Sequence, residues 1–191
     1  MTSTVLLMQS DIYTLPPDLP VPEDDGAAAH LTGMGIPALT LDSSLGPVNL
    51  RDFELIYIYP RTGRPGRGAA PGWDQIPGAR GCTPESSGFR DAVSDFVQLS
   101  LRVVGLSAQT LDDQQEFAER NRIPFPVIAD PERKLGAVLR LPTFEVQGQV
   151  LYKRLTLVGE EGRIIKVFYP VFPPDKHAQE VLTWLKSRCL D

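Results

Sequence analysis

The run Leu55-Ile-Tyr-Ile-Tyr-Pro60 decides how this chain folds. It is almost unbroken in apolar and aromatic side chains, whereas a strand with one face in water alternates apolar with polar. Such a run predicts a central strand buried on both faces. Pro60, which has no N–H to give to a sheet ladder, ends it. A strand of that kind is covered by helices, so strands and helices are expected to alternate around it.

Downstream, residues 61–81 carry six glycines, three prolines and four arginines and read as a long irregular loop. Loops of that length in compact domains are usually functional or disordered. A helix is expected from Thr83-Pro84, with Thr83 as N-cap and Pro84 at the first helical position. Phe89, Val93, Phe96 and Val97 form its apolar stripe. Arg102-Val-Val-Gly-Leu-Ser107 is a second central strand. Leu111 to Arg122 is helical, acidic early and with Arg120 and Arg122 late, as the helix dipole favours. Pro126-Val-Ile-Ala129 is a short third strand and Pro131 to Leu139 a short helix. Leu151 to Val158 and Ile164 to Tyr169 are strands joined at Gly159-Glu-Glu-Gly162, a hairpin signal. A last helix from about Pro174 carries Ala178, Val181, Leu182, Leu185 and Cys189 on one stripe.

Upstream, Ala38-Leu-Thr-Leu41 and Val48-Asn-Leu50 flank the turn Asp42-Ser-Ser-Leu-Gly46 as a small hairpin. Residues 1–35 read as a Pro-rich, acidic arm. Pro16, Pro17, Pro20 and Pro22 precede Glu23-Asp-Asp25, and that density of proline supports neither helix nor central strand. Residues 36–191 then form one domain. Its order of elements predicts an α/β class with a central mixed sheet flanked by helices, the thioredoxin-like fold.

At 191 residues, with 42% hydrophobic and 23% charged side chains, the chain suits a single globular domain with an extension. Its net charge of −5 argues against general binding to nucleic acid or to anionic membrane surfaces. No apolar run approaches the ~18 residues of a membrane span. Val5-Leu-Leu-Met8 is too short for a signal-peptide core, so a cytoplasmic location is expected. The two cysteines make neither a disulfide scaffold nor a zinc site, and His30 and His177 stand alone, so no metal is expected.

Cys82 lies in Ile76-Pro-Gly-Ala-Arg-Gly-Cys-Thr-Pro-Glu-Ser-Ser-Gly-Phe-Arg-Asp91, where the loop turns into a helix. A thiol at a helix start meets unpaired N–H groups and the positive end of the dipole, which favour the reactive thiolate. Pro, Gly and Arg surround it rather than apolar periodicity, so it is not placed as core filling. Cys189 falls on the stripe of the last helix and reads as a small, half-buried hydrophobe, with a distant resolving thiol as the other reading.

The chain resembles the peroxiredoxin family, closest to the bacterioferritin-comigratory (Q-type) thiol peroxidases. The resemblance rests on Leu39-Thr-Leu41 with Gly46-Pro-Val-Asn-Leu50, Tyr57-Ile-Tyr-Pro60, Gly81-Cys-Thr-Pro-Glu85 and Gly88-Phe-Arg-Asp91. It continues through Val104-Gly-Leu-Ser107, Pro124-Phe-Pro-Val-Ile-Ala-Asp130 and Arg154-Leu-Thr156. It implies a peroxidatic Cys82 that attacks hydrogen peroxide or an organic hydroperoxide and becomes a sulfenic acid. Arg154 matches the arginine that reaches thiolate and peroxide, the alternative being a strand-edge surface charge. Glu85 matches the acid that holds this arginine, the alternative being first-turn helix stabilisation. No metal, flavin or haem is implied. The reductant would be thioredoxin, glutaredoxin or a small thiol, and the enzyme a monomer or homodimer.

The chain departs from the family pattern at two positions. Ala79 stands where a Thr or Ser usually hydrogen-bonds the peroxide, leaving Thr83 or the N–H groups of Gly81 and Cys82 to substitute. Ser87 stands at the position of the resolving cysteine, either natively or as an engineered replacement, and a hydroxyl cannot close a disulfide. Recycling then falls to an external thiol unless Cys189 serves. Gly63-Arg-Pro-Gly-Arg-Gly68 lacks the Gly-Lys-Ser/Thr ending of a phosphate loop. Its Arg64 and Arg67, with Arg61, read as solvated or as steering anions. Trp73 reads as an anchor for the loop or as an apolar wall for organic hydroperoxides. The rival to the enzyme is a catalytically impaired redoxin-fold module for redox sensing or interaction, which Ala79 favours.

Overall fold

The structure, a computed structural model, describes residues 11–189; the Val5–Met8 segment lies outside them. In chain order the elements are β1 (Thr40–Leu41), β2 (Val48–Asn49), β3 (Leu55–Ile58), α1 (Cys82–Asp91), α2 (Val93–Gln98), β4 (Val103–Ser107), α3 (Leu111–Arg120) and β5 (Val127–Ala129). There follow α4 (Lys134–Leu139), β6 (Thr143–Val146), β7 (Gln149–Tyr152), β8 (Leu155–Glu160), β9 (Arg163–Phe168) and α5 (His177–Arg188).

Five strands form the central sheet in the order β5-β4-β3-β8-β9. The Leu55 run is its middle strand, parallel to β4 and antiparallel to β8, with all four residues buried. One face carries Tyr57, Tyr59, Phe89, Phe96, Phe117 and α5; the other carries Ile56, Ile58, Leu106, Leu135 and Leu155. The sheet is therefore mixed and covered on both sides, as its apolar strands require.

Two contacts seat α1 on this sheet. Phe89 is fully buried and stacks on Tyr57 with ring centroids 4.4 Å apart. Gly88 faces α5, where an added Cβ would lie 3.4 Å from that of Ala178. Loss of a buried phenylalanine of this kind costs about 3–5 kcal/mol. Tyr57 itself needs Gly105 on the neighbouring strand, because a Cβ there would fall 2.7 Å from the ring.

Three expectations are corrected. The helix expected through Val97 breaks at Ala92 (φ −95°, ψ 2°), and the second piece turns Val97 out to water at 63% exposure. The strand expected over Leu151–Val158 is interrupted at Lys153-Arg154: Leu151 and Tyr152 belong to a separate β6–β7 hairpin, and β8 starts at Leu155. Cys189 is exposed, because α5 buries its stripe only as far as Leu185.

Residues 11–35 carry no helix or strand. They lie along the domain with Ala28 and Leu31 buried, and Asp25 accepts from Lys153 Nζ at 2.8 Å and Tyr169 Oη at 2.7 Å. No helix among the described residues is long and apolar enough to cross a membrane.

Candidate active site

Cys82 is the first residue of α1, and the residue that caps it is Gly81 rather than Thr83. Gly81 has φ 107° and ψ 19°, a left-handed conformation that glycine takes without a Cβ penalty. A Cβ there would also meet Leu15 at 2.8 Å and press on Pro174. Thr83 accordingly sits inside the first turn. A cap without a side chain leaves the first N–H groups of the helix free. Neither Cys82 nor Thr83 gives its N–H to a backbone carbonyl among the described residues.

Arg154 reaches this thiol through the sheet. The β3–β8 register sets Leu155 opposite Ile58, which brings Arg154 level with the exit of β3, where the chain leaves toward Cys82. Its guanidinium is 1% exposed and ion-paired with Glu85, which is fully buried on α1. Nη2 donates to Cys82 Sγ at 3.2 Å and to the carbonyls of Ala79 at 3.1 Å and Arg80 at 3.2 Å. Nε donates to Gly78 O at 3.2 Å. Three loop carbonyls and a carboxylate thus fix one planar fork against the sulfur. The structure brings Cys82, Arg154 and Glu85 into one cluster, with Thr83 in the adjoining wall.

Electrostatics correct one expectation. Burial pushes the Cys82 thiol above its ordinary value. The Arg154 guanidinium pulls it down more strongly than Glu85 pushes it up, and a backbone N–H of Arg61 helps, but together they do not overcome desolvation. The helix start favours thiolate as a local effect, while burial is a property of the whole fold. Burial also raises the Glu85 carboxyl, against the pull of Arg154 and His177. Among the described residues, Glu85 Oε1 has no hydrogen-bond partner. His177, which stood alone in the sequence, is buried and spans Thr156 Oγ1 (2.8 Å) and Glu180 Oε2 (3.0 Å).

A cavity of about 360 Å³ opens onto Cys82, lined by Gly81, Thr83, Arg61, Trp73 and Gln147 among others. Thr83 makes no side-chain hydrogen bond among the described residues and lines this space. Ala79 does not line it; its methyl group packs with Trp73 and Leu151. Trp73 serves both as anchor and as wall, being 6% exposed and tilted against Phe144.

The β6–β7 hairpin, absent from the sequence-based expectation, supplies Gln147 at its turn. Gln147 and Gly148 both have positive φ (50° and 73°), the geometry of a tight two-residue hairpin. Its signal in the sequence was Gly148 just after Thr143-Phe-Glu-Val146, where polar and apolar residues alternate.

Ser87 is half-buried on α1 and outside the cluster. At 100° per residue it points about 140° away from Cys82 around the helix. Cys189 is more distant: α5 starts beside the site and its 12 residues run roughly 18 Å away. Among the described residues, no three His, Cys, Asp or Glu side chains are grouped to hold a metal.

Comparison with known proteins places this geometry. A family model described as AhpC/TSA matches residues 76–167, which include Cys82, Glu85 and Arg154. The chloroplastic peroxiredoxin Q of Sedum lineare is 26% identical over 176 residues, covering 90% of this chain and 86% of its own. Peroxiredoxin Bcp of Bacillus subtilis (strain 168) is 28% identical over 164 residues, covering 81% of this chain and 94% of its own. The crystal structure of peroxidoxin BcpB from Mycobacterium tuberculosis matches with a TM-score of 0.66 at 24% identity, covering 83% of this chain and 98% of that one.

Proposed function

Because the chain is a peroxiredoxin of the AhpC/TSA family, and so a thiol-dependent peroxidase, we propose that Cys82 is its peroxidatic nucleophile. The observation that carries this reading is the Arg154 fork, pinned by Glu85 and three carbonyls with one nitrogen 3.2 Å from the sulfur.

The thiol proton rests toward Ala79 O, 3.8 Å away, and leaves for water in the cavity. The thiolate then attacks the outer oxygen of the peroxide. An S–O bond forms as the O–O bond breaks, and the departing alkoxide or hydroxide takes a proton from water. Cys82 is oxidised to sulfenic acid, and the peroxide is reduced to an alcohol or water. Charge moves from sulfur to the leaving oxygen during this step. Arg154 and the free N–H groups of Cys82 and Thr83 are donors fixed beforehand at the place where that charge travels. The Thr83 hydroxyl in the cavity wall takes the positioning role that Ala79 cannot fill. Glu85 is a positioning residue acting through Arg154.

Recycling needs an external thiol, because Ser87 cannot form a disulfide and Cys189 stands at the far end of α5. One thiol displaces water from the sulfenic acid to form a mixed disulfide, and a second releases Cys82 and leaves as disulfide. Thioredoxin, glutaredoxin or a small thiol can supply both. An exposed free Cys189 suits a reducing compartment such as the cytoplasm. A chain that had lost catalysis and kept only a sensing or docking role is the rival reading, favoured by the upward push on the Cys82 thiol.

Stopped-flow tryptophan fluorescence with hydrogen peroxide separates them. A fast phase that Cys82→Ala abolishes, in a protein whose circular dichroism is unchanged, is expected of the enzyme. Oxidation no faster than that of a free thiol would overturn the assignment.

A further inference from the structure

Gln109 lies two residues beyond the end of β4, is 9% exposed and lines the same cavity as Cys82. A chain of buried hydrogen bonds fixes which way round its amide sits. Gln114, fully buried on α3, donates through Nε2 to Ile128 O at 2.8 Å, and a carbonyl can only accept. The same Nε2 gives its other hydrogen to Ser107 Oγ at 3.0 Å, and Gln109 N donates to that oxygen at 3.2 Å. With both its lone pairs taken, Ser107 turns its own proton to Gln109 Oε1 at 3.2 Å. From the other side Thr62 N, which can only donate, reaches Oε1 at 2.9 Å, and Thr62 Oγ1 adds a bond at 3.1 Å.

Three donors on Oε1 leave the amide one orientation, with Nε2 turned away from them. A flipped amide would set its NH₂ against the Thr62 N–H. Nε2 has no partner among the described residues, yet it is not sealed off. Among those residues Glu85 Oε1 is the one side-chain nitrogen or oxygen that is both buried and unpaired. Gln109 thus presents two fixed N–H groups at a cavity wall. Its carbonyl meanwhile holds Thr62, the neighbour of the Arg61 whose backbone N–H bonds the Cys82 sulfur.

We propose that Gln109 is a further catalytic residue, whose Nε2 donates a hydrogen bond to the departing oxygen of the peroxide. This deepens the assignment of Cys82 as nucleophile and rests on it. The sulfur gains the outer oxygen as the O–O bond breaks, and the other oxygen leaves as hydroxide or alkoxide and takes a proton from water. The amide lends a hydrogen bond and loses no proton. Because its orientation is set beforehand by Thr62 and Ser107, it needs no rearrangement when charge reaches that oxygen. Thr83 positions the peroxide from α1, and Gln109 does so from the end of β4.

The test compares two reagents on the full chain: hydrogen peroxide and iodoacetamide. Both consume the same thiolate, but alkylation expels iodide, which depends far less on a hydrogen-bond donor. The peroxide-to-iodoacetamide rate ratio is internal to each variant, so a change in thiolate population does not affect it. Gln109→Glu keeps an oxygen for Thr62 and Ser107 and removes the N–H groups; Gln109→Met removes both. The ratio is expected to fall about 10²-fold in each, the worth of one preorganised donor. In Gln109→Glu it is expected to recover as the pH falls and the new carboxyl gains an O–H, and in Gln109→Met it is not. Gln115→Met, on the exposed face of α3, leaves the ratio unchanged. A ratio that falls only in Gln109→Met would reduce Gln109 to a prop for Thr62 and overturn the inference, as would a ratio unchanged in both variants. In either case a fast reaction of the wild-type chain with peroxide leaves Cys82 standing. Failure of Cys82 to react with any peroxide overturns both.

Discussion

Arg154→Met places the whole site under strain in a calculable way. Methionine roughly keeps the length of the side chain but donates nothing. Glu85 is left fully buried with neither oxygen partnered, and the carbonyls of Gly78, Ala79 and Arg80 lose their shared donor. Breaking a buried ion pair this way costs about 3–5 kcal/mol, against a typical total stability of about 5–15 kcal/mol. The reaction suffers separately. A guanidinium 3.2 Å from the sulfur attracts a thiolate by roughly 5 kcal/mol gross, taking an effective dielectric of about 20. Loss of one preorganised donor of this kind lowers a rate by ~10²–10³.

Glu85→Gln separates the two losses. Combined with Arg154→Met it removes the stranded charge and is expected to return roughly 1–3 kcal/mol, while the peroxide rate stays low. Alone, it leaves the larger push of burial on the Cys82 thiol in place but removes the negative charge that adds to it, so the thiol is expected to titrate lower than in wild type. Urea unfolding followed by tryptophan fluorescence gives the stabilities, and stopped flow with hydrogen peroxide gives the rates. A double variant that regains the wild-type rate would refute the role of Arg154, as would an Arg154→Met protein as stable as wild type.

Two further outcomes follow. The Cys82 thiol is held above its unfolded value, so the fold favours the neutral form. That contribution is complete below about pH 8.5, the unfolded thiol value, and is lost as pH rises through the folded value. The denaturation midpoint is expected to fall between about pH 8 and about pH 10 in wild type and to fall less in Cys82→Ala; equal slopes would contradict it. Restoring a thiol by Ser87→Cys places two cysteines ~7.5 Å apart along one helix, beyond the ~7 Å limit for Cα atoms of a disulfide, so closure requires the first turn of α1 to unwind. After one equivalent of peroxide, intact mass is expected to show the parent chain one oxygen heavier and the variant two hydrogens lighter. A variant that keeps the added oxygen would show that the first turn does not open.

The central strands were legible because burial on both faces leaves only apolar and aromatic residues, and Leu55–Ile58 and Val103–Ser107 read that way without any partner. Cys82 was legible for a local reason: Gly and Pro before it and a helix after it are encoded within a few residues. The β6–β7 hairpin was not, since its strands are short and half-exposed and look like loop. The helix cap was misassigned because Thr83 satisfies the usual preference. Gly81 is required instead by Leu15 and Pro174, which lie far away in sequence and close in space.

The order of the five central strands, the position of one thiol at a helix start and the absence of a second at position 87 are properties of neighbouring residues, and the sequence by itself determined them. The tertiary structure alone decided what surrounds that thiol. Arg154 lies 72 residues from Cys82 and arrives only through the β3–β8 register. The cavity wall is assembled from the Arg61–Trp73 loop, the arm and a hairpin turn. The net upward push on the thiol is a sum over everything packed around it, and no local pattern of residues contains that sum.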